Sequence, residues 1–178
     1  MSHSVLVKNS VAAADNRVYN RSVVTGSDPV DNGNVFGLAA QGTAGSALEV
    51  WTVVTPVTGS LDKLWMAASP EVPITVDGVL VYKGLNSDPR NFYNVGGTPF
   101  DAIKLVPGDI ITLTVDAFDT APSAFAVATT ATGKFTAAAG HAAGVCTLRY
   151  LATTYISIGS GGIDNQRVAS YKMEVIEN

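Results

Sequence analysis

The chain is poor in the residues that carry out chemistry. Among 178 residues there is one cysteine, and there are two histidines. A single thiol excludes an internal disulfide, so stability has to come from packing. Cys146 sits in the apolar run Gly144-Val145-Cys146-Thr147-Leu148, where a thiol serves as a small buried hydrophobe and not as a nucleophile. His3 and His141 have no second His, Cys or acid at ligand spacing, so no metal and no cofactor is expected. Charge is scarce too: 15% of the residues are Asp, Glu, Lys or Arg, against a usual ~25%. The 11 basic residues are scattered and the net charge is −4, which leaves no basic patch to neutralise a phosphate backbone and argues against nucleic acid. No stretch approaches the ~18 consecutive apolar residues of a membrane-spanning helix. Met1-Ser2-His3-Ser4 followed by Val5-Leu6-Val7 lacks the basic region and apolar core of a secretory leader. The expectation is therefore cytoplasmic synthesis, with no membrane partner.

What is present is strand material. The chain is 47% hydrophobic, with Gly 17 and Pro 8. Short apolar runs alternate with turn formers along most of its length. Val35–Leu38, Leu48–Val57, Leu61–Ala68, Ile110–Phe118, Phe125–Ala128, Lys134–Thr136, Val145–Ile158 and Val168–Ile176 all read as strands. Pro56 confines the second run to an edge or an end. Ile74–Val76 and Val79–Tyr82 flank Asp77-Gly78, the dipeptide of a type I′ hairpin turn. Ile111, Leu113 and Val115 fall on one face of their run by period 2. The Ala-rich stretch 121–143 carries Thr, Gly133 and Gly140 and has no helical stripe. The fold class is all-β, a sandwich or barrel of antiparallel strands. Residues 1–33, rich in Asn and Asp with only small or isolated apolar residues after Val7, read as an extended N-terminal arm. Such an arm gains order by lying on its own β domain or on another chain. Residues 34–178 form the β-rich domain.

Each candidate for chemistry has a plainer alternative. Gly159-Ser160-Gly161-Gly162 has neither the lysine nor the following helix of a phosphate loop and reads as a hairpin connection. Asp28-Pro29-Val30-Asp31-Asn32-Gly33-Asn34 offers oxygen ligands, but its spacing is not that of an EF-hand and turn formation explains it as well. Glu49, Asp62, Asp109 and Asp116 are the acids on or beside strands; Asp109 follows Pro107-Gly108 and completes a turn. Trp51, Trp65, Tyr82, Phe92 and Tyr93 are candidates for a sugar platform, but they alternate with apolar strand positions, as core or subunit-contact residues do. No catalytic residue is assigned. The low charge favours a surface that meets other subunits. The segment Tyr82–Asn94 mixes turn formers with Arg90, Phe92 and Tyr93, residue types enriched at interface centres.

Several stretches resemble a family of small structural proteins of tailed bacteriophages. They are Asp15-Asn16-Arg17-Val18-Tyr19-Asn20, Leu64-Trp65-Met66-Ala67-Ala68-Ser69-Pro70-Glu71, Lys83-Gly84-Leu85 with Asp88-Pro89-Arg90, Gly108-Asp109-Ile110-Ile111-Thr112-Leu113-Thr114, and Leu151-Ala152-Thr153-Thr154-Tyr155-Ile156-Ser157-Ile158-Gly159. The resemblance implies a capsid decoration (cement) protein on the outer capsid surface of the virion, assembled in the host cytoplasm. Its partners would be the major capsid protein and further copies of itself as a homo-oligomer, with a trimer as one option. On that reading Arg17, Tyr19, Arg21, Arg90, Phe92 and Tyr93 contribute capsid or subunit contacts. Deletion of residues 2–33 would then leave a folded domain that no longer docks. The alternatives are a tail-tube or head–tail connector protein and a carbohydrate-binding β module.

Overall fold

The computed structural model describes residues 3–10, 19–39, 50–57, 59–69, 90, 92–158 and 166–178. The fold is all-β, built from two sheets. Strands β1 (Leu6–Ser10), β7 (Ile110–Thr114), β8 (Phe125–Ala128), β9 (Phe135–Ala138), β10 (Thr147–Ile158) and β11 (Gln166–Glu177) form a six-stranded sheet in the order β1-β7-β11-β10-β8-β9. Every neighbouring pair in it is antiparallel. Strands β2 (Asn20–Val24), β3 (Val35–Leu38), β4 (Val50–Val54), β5 (Trp65–Ala67) and β6 (Phe100–Lys104) close into a small barrel in the order β2-β4-β3-β5-β6. A ring of five strands cannot alternate direction all the way round. The mismatch falls between β2 and β4, the one parallel pair in the barrel. Helical structure among the described residues is limited to short 3-10 turns such as Val115–Ala117.

Period-2 alternation gives the barrel strands two apolar faces. Val23, Phe36, Ala67, Phe100 and Ala102 point into the barrel and form its own core, with Phe36 and Phe100 edge to face at 5.9 Å. Their neighbours Val35, Met66 and Ile103 point outward and join the larger core. There they meet the inner face of the sheet: Leu6, Ile111, Leu113, Ala126, Ala128, Phe135, Leu148, Met173 and Val175. Burial of each large side chain in this layer contributes roughly 1.5–3 kcal/mol. Cys146 lies in the same layer, fully buried. Val115 departs from the expected face: the strand ends at Thr114, the chain turns, and Val115 is exposed.

The described parts of the N-terminal segment are extended and lie on the chain's own body. Leu6 to Lys8 pair with Leu113 to Ile111, and Asn20 to Val23 pair with Ile103 to Phe100. The boundary drawn at residue 33 therefore cuts through the barrel. Deleting residues 2–33 would remove a sheet edge and a barrel stave, so a folded remainder is not expected. Residues that flank these two strands are tied in by side chains. Asn32, 1% exposed, bridges Ser69 through both side-chain atoms (2.9 and 3.1 Å) and accepts from the Asn94 amide at 3.2 Å. Ser4 donates its hydroxyl to the Asn32 carbonyl at 2.6 Å, and the Val5 amide donates to the Thr114 hydroxyl at 2.9 Å. These bonds satisfy groups that would otherwise be costly to bury. Three strands were not expected from the sequence: β1, β2 and β6. The Asp77-Gly78 hairpin lies outside the described residues.

Gly33 closes the turn of this hub at φ +90°, and a Cβ there would stand 2.7 Å from Leu113 Cδ2. Gly33→Ala should destabilise the chain by about 2–4 kcal/mol, combining left-handed strain with overpacking. Gly26, whose Cβ would meet nothing within 4 Å, is the control. Thermal unfolding should show a clear drop in Tm for Gly33→Ala and almost none for Gly26→Ala.

Candidate functional site

The polar groups that might have supported catalysis are engaged in holding the fold. Asp109 is buried in its Pro-Gly turn, and its Oδ2 accepts from the Val106 amide at 2.8 Å. In the Asp/Asn cluster, Asp31 pairs with His3 at 2.7 Å, Asn32 is spent in the hub, and the Asp28 carbonyl accepts from the Thr25 hydroxyl at 2.9 Å. Asp62 and Asp116 are half-buried in turns, and Glu49 lies outside the described residues. No group of three or more His, Cys, Asp or Glu suited to a metal ion occurs among the described residues. Burial, reinforced by the Glu177 charge, pushes the Cys146 thiol up to about 12. It is therefore protonated and unreactive at neutral pH.

The expected contact residues are dispersed. Arg17 lies outside the described residues. Tyr19 is half-buried and packs against the larger core. Arg21 stands between two indoles, its guanidinium carbon 5.7 Å from the Trp51 ring and 5.4 Å from the Trp65 ring. It also donates to the Asn20 carbonyl at 2.9 Å. The three residues come from β2, β4 and β5, and both indoles pack against the barrel core. Contacts of this kind contribute ~0.5–1 kcal/mol each near the surface. Phe92 is buried, Tyr93 is half-buried with its ring 5.0 Å from His3, and the Arg90 carbonyl accepts from the His3 amide at 2.9 Å. Arg90 and Tyr93 thus lie beside the chain's N-terminal stretch. Tyr82 lies outside the described residues.

Among the described residues, the outer half of the β10–β11 hairpin runs past its neighbouring strands. β8 pairs with β10 only at Thr147 to Arg149, and β7 pairs with β11 only from Ser170 to Glu174. The two strands continue together as far as the Ile158–Gln166 pair. Aromatic packing among Phe118, Tyr150 and Tyr171 marks the end of the core, with ring separations of 5.3 and 6.2 Å. Between the two tyrosines, a bulge at Leu151 separates the Tyr150–Met173 pair from the Ala152–Lys172 pair, just past the end of the β8 pairing. Bulges bend a strand and add twist. Leu151 is 40% exposed and Tyr155 is 52% exposed, with Arg167 lying 4.6 Å over the Tyr155 ring. Residues 151–158, Leu-Ala-Thr-Thr-Tyr-Ile-Ser-Ile, contain no charge, Gly or Pro. This ribbon was legible only as a strand; its lack of support follows from where β7 and β8 end.

At the opposite end of β11, Glu177 anchors the loop before β10. It accepts from the Gly144 amide at 2.6 Å and from His141 Nε2 at 2.5 Å. The Gly144 bond, followed by the one from His141, holds the carboxyl below the 4.5 of a free glutamate. A lowered folded-state pKa gives stabilisation that is complete above 4.5 and is lost as the pH falls through the lowered value. The Gly144 amide proton should therefore titrate by NMR with a midpoint below 4.5 and cease to titrate in Glu177→Gln. A midpoint at or above 4.5 would contradict the anchor.

Comparison of the chain with protein-family models, with curated proteins and with solved structures finds no significant match.

Proposed function

We propose that this chain is a virion structural protein of a tailed phage that decorates and stabilises the outside of the major capsid shell. The observation that carries this reading is the division of labour within the fold. His3, Asp31, Asn32, Asn94, Asp109 and His141 are engaged in internal bonds, while the body extends a ribbon whose β10 strand is uncharged and half apolar over residues 151–158. A protein that works by shape and adhesion uses its residues in this way. A shell repeats its sites many times, so modest contacts suffice once several subunits are engaged together. The resemblance of the segments at 15–20, 64–71, 83–90, 108–114 and 151–159 to the decoration family supports the same reading.

A tail-tube or connector role is the second reading, and the long hairpin is what favours it, because tube rings are lined by strands. The carbohydrate-module reading has less support: Arg21 occupies the space between Trp51 and Trp65, so those faces do not form an open platform for a sugar ring.

Imaging of particles that carry the chain, beside particles from which it has been deleted, tests the proposal. Difference density should lie on the outer surface of the shell, and particles lacking the chain should open at lower temperature. Density lining a tail lumen would overturn the decoration reading in favour of the tube.

A further inference from the structure

We infer that the free edge of β10, residues 151–158, is a self-association edge that pairs antiparallel with the same edge of a second copy about a two-fold axis. This goes beyond the shell reading and does not rest on it, because it concerns the free chain.

The first observation is the missing partner. Among the described residues, no strand pairs with β10 on its outer side beyond Arg149, where β8 stops; the last contact there is the Tyr150 amide donating to the Ala124 carbonyl at 2.9 Å. An edge left open in this way exposes a row of backbone donors and acceptors. Natural proteins guard such edges with lysine, proline, inward-pointing charge or very short strands. This edge has none of those guards. It is eight residues long, β-branched and aromatic in character, and uncharged. The one bulge, at Leu151, lies at its base and leaves the remainder regular.

The second observation identifies the occupant. A strand brought antiparallel to itself sets its own side chains against one another, so any charge near the centre would face its own sign. Residues 151–158 carry no charge; on the strand behind them Arg167 is engaged over Tyr155 and Lys172 stands at the base, opposite Ala152. The edge is therefore neutral toward itself at every register, whereas it offers a charged partner nothing to recognise. Its size sets the strength of the pair. Eight residues at ~3.3 Å each form an edge ~26 Å long. That is too little to reach the ~800 Å² per partner of a tight complex, so the dissociation constant should lie in the micromolar range.

The geometry makes a specific demand. Antiparallel ladders match residues whose backbone groups point the same way, so in a two-fold pair one residue must stand opposite its own copy. Facing Cα atoms at ~4.5–5.5 Å lie within reach of a disulfide. Single cysteines placed in turn at 151 to 157 of the full chain and oxidised mildly should give covalent dimers with one maximum along the series and a fall on both sides. Cys146, buried and protonated, should not compete. Sedimentation of the unmodified chain should show monomer giving way to dimer across about 1–100 μM. The double variant Ala152→Glu, Ser157→Glu, at two exposed positions that stand opposite Lys172 and Arg167 of β11, should stay monomeric with a Tm no lower than that of the unmodified chain. A monomer throughout that range, a scan with no cross-linking, or a ring of three in which no position meets its own copy would each overturn the inference.

Discussion

The packing of one barrel wall against the sheet is the contact on which the rest depends. Val35, Met66 and Ile103 look out of the barrel, while their neighbours Phe36, Ala67 and Ala102 look in. This wall must be apolar on both faces. Without that contact, the barrel would expose half of its apolar side chains and the sheet would lose the cover over Ile111, Leu113 and Met173. The Asn32 hub depends on it as well, since Asn32 and Asn94 are buried and bonded to one another, and Asn32 to the half-buried Ser69, beside the barrel strands.

The same contact explains the shape of the molecule. The sheet is supported only where the barrel and the flanking strands cover it. β7 ends at Thr114 because the chain turns away there, and β8 is four residues long. β10 and β11, at twelve residues each, outrun both neighbours. A two-stranded ribbon is marginal alone in water. This one is rooted by the aromatic group at Tyr150 and Tyr171 and by the Arg149–Glu174 pair beside them. Its root is packed and, among the described residues, its outer half has no strand beside it on β10, an arrangement suited to contact with something outside the body.

The sequence disclosed the strands with strong alternation and missed those without it. Ile110–Thr114 and the two long C-terminal strands were legible because β-branched and aromatic residues recur within them. Phe100-Asp101-Ala102-Ile103-Lys104 was not, because it packs Ala102 into the barrel and Ile103 onto the sheet, so neither face reads as purely apolar. Leu6–Ser10 and Asn20–Val24 resembled an arm for a related reason: their composition is polar, and their order comes from pairing with β7 and β6. The Asp31–Asn34 cluster was recognisable as a turn, but its role as a buried hub depends on Ser4, Ser69 and Asn94, which are remote in sequence. Candidate contact residues fared similarly. Phe92 reads as an interface aromatic by type, yet it is buried, and nothing local to residue 92 reveals that. The openness of residues 151–158 is also a property of the neighbours, not of the strand.

The central claim is that the projecting ribbon, and not the body, makes this protein's outward contacts. Replacing residues 155–169 with Asn-Gly would turn the hairpin back just past the Thr154–Ser170 pair, leaving β7 and β8 with all their partners on β10 and β11. Incorporation of this shortened chain into particles, measured beside its Tm, is the most direct test. The account predicts an unchanged Tm with incorporation lost. Incorporation at the level of the full chain would contradict it.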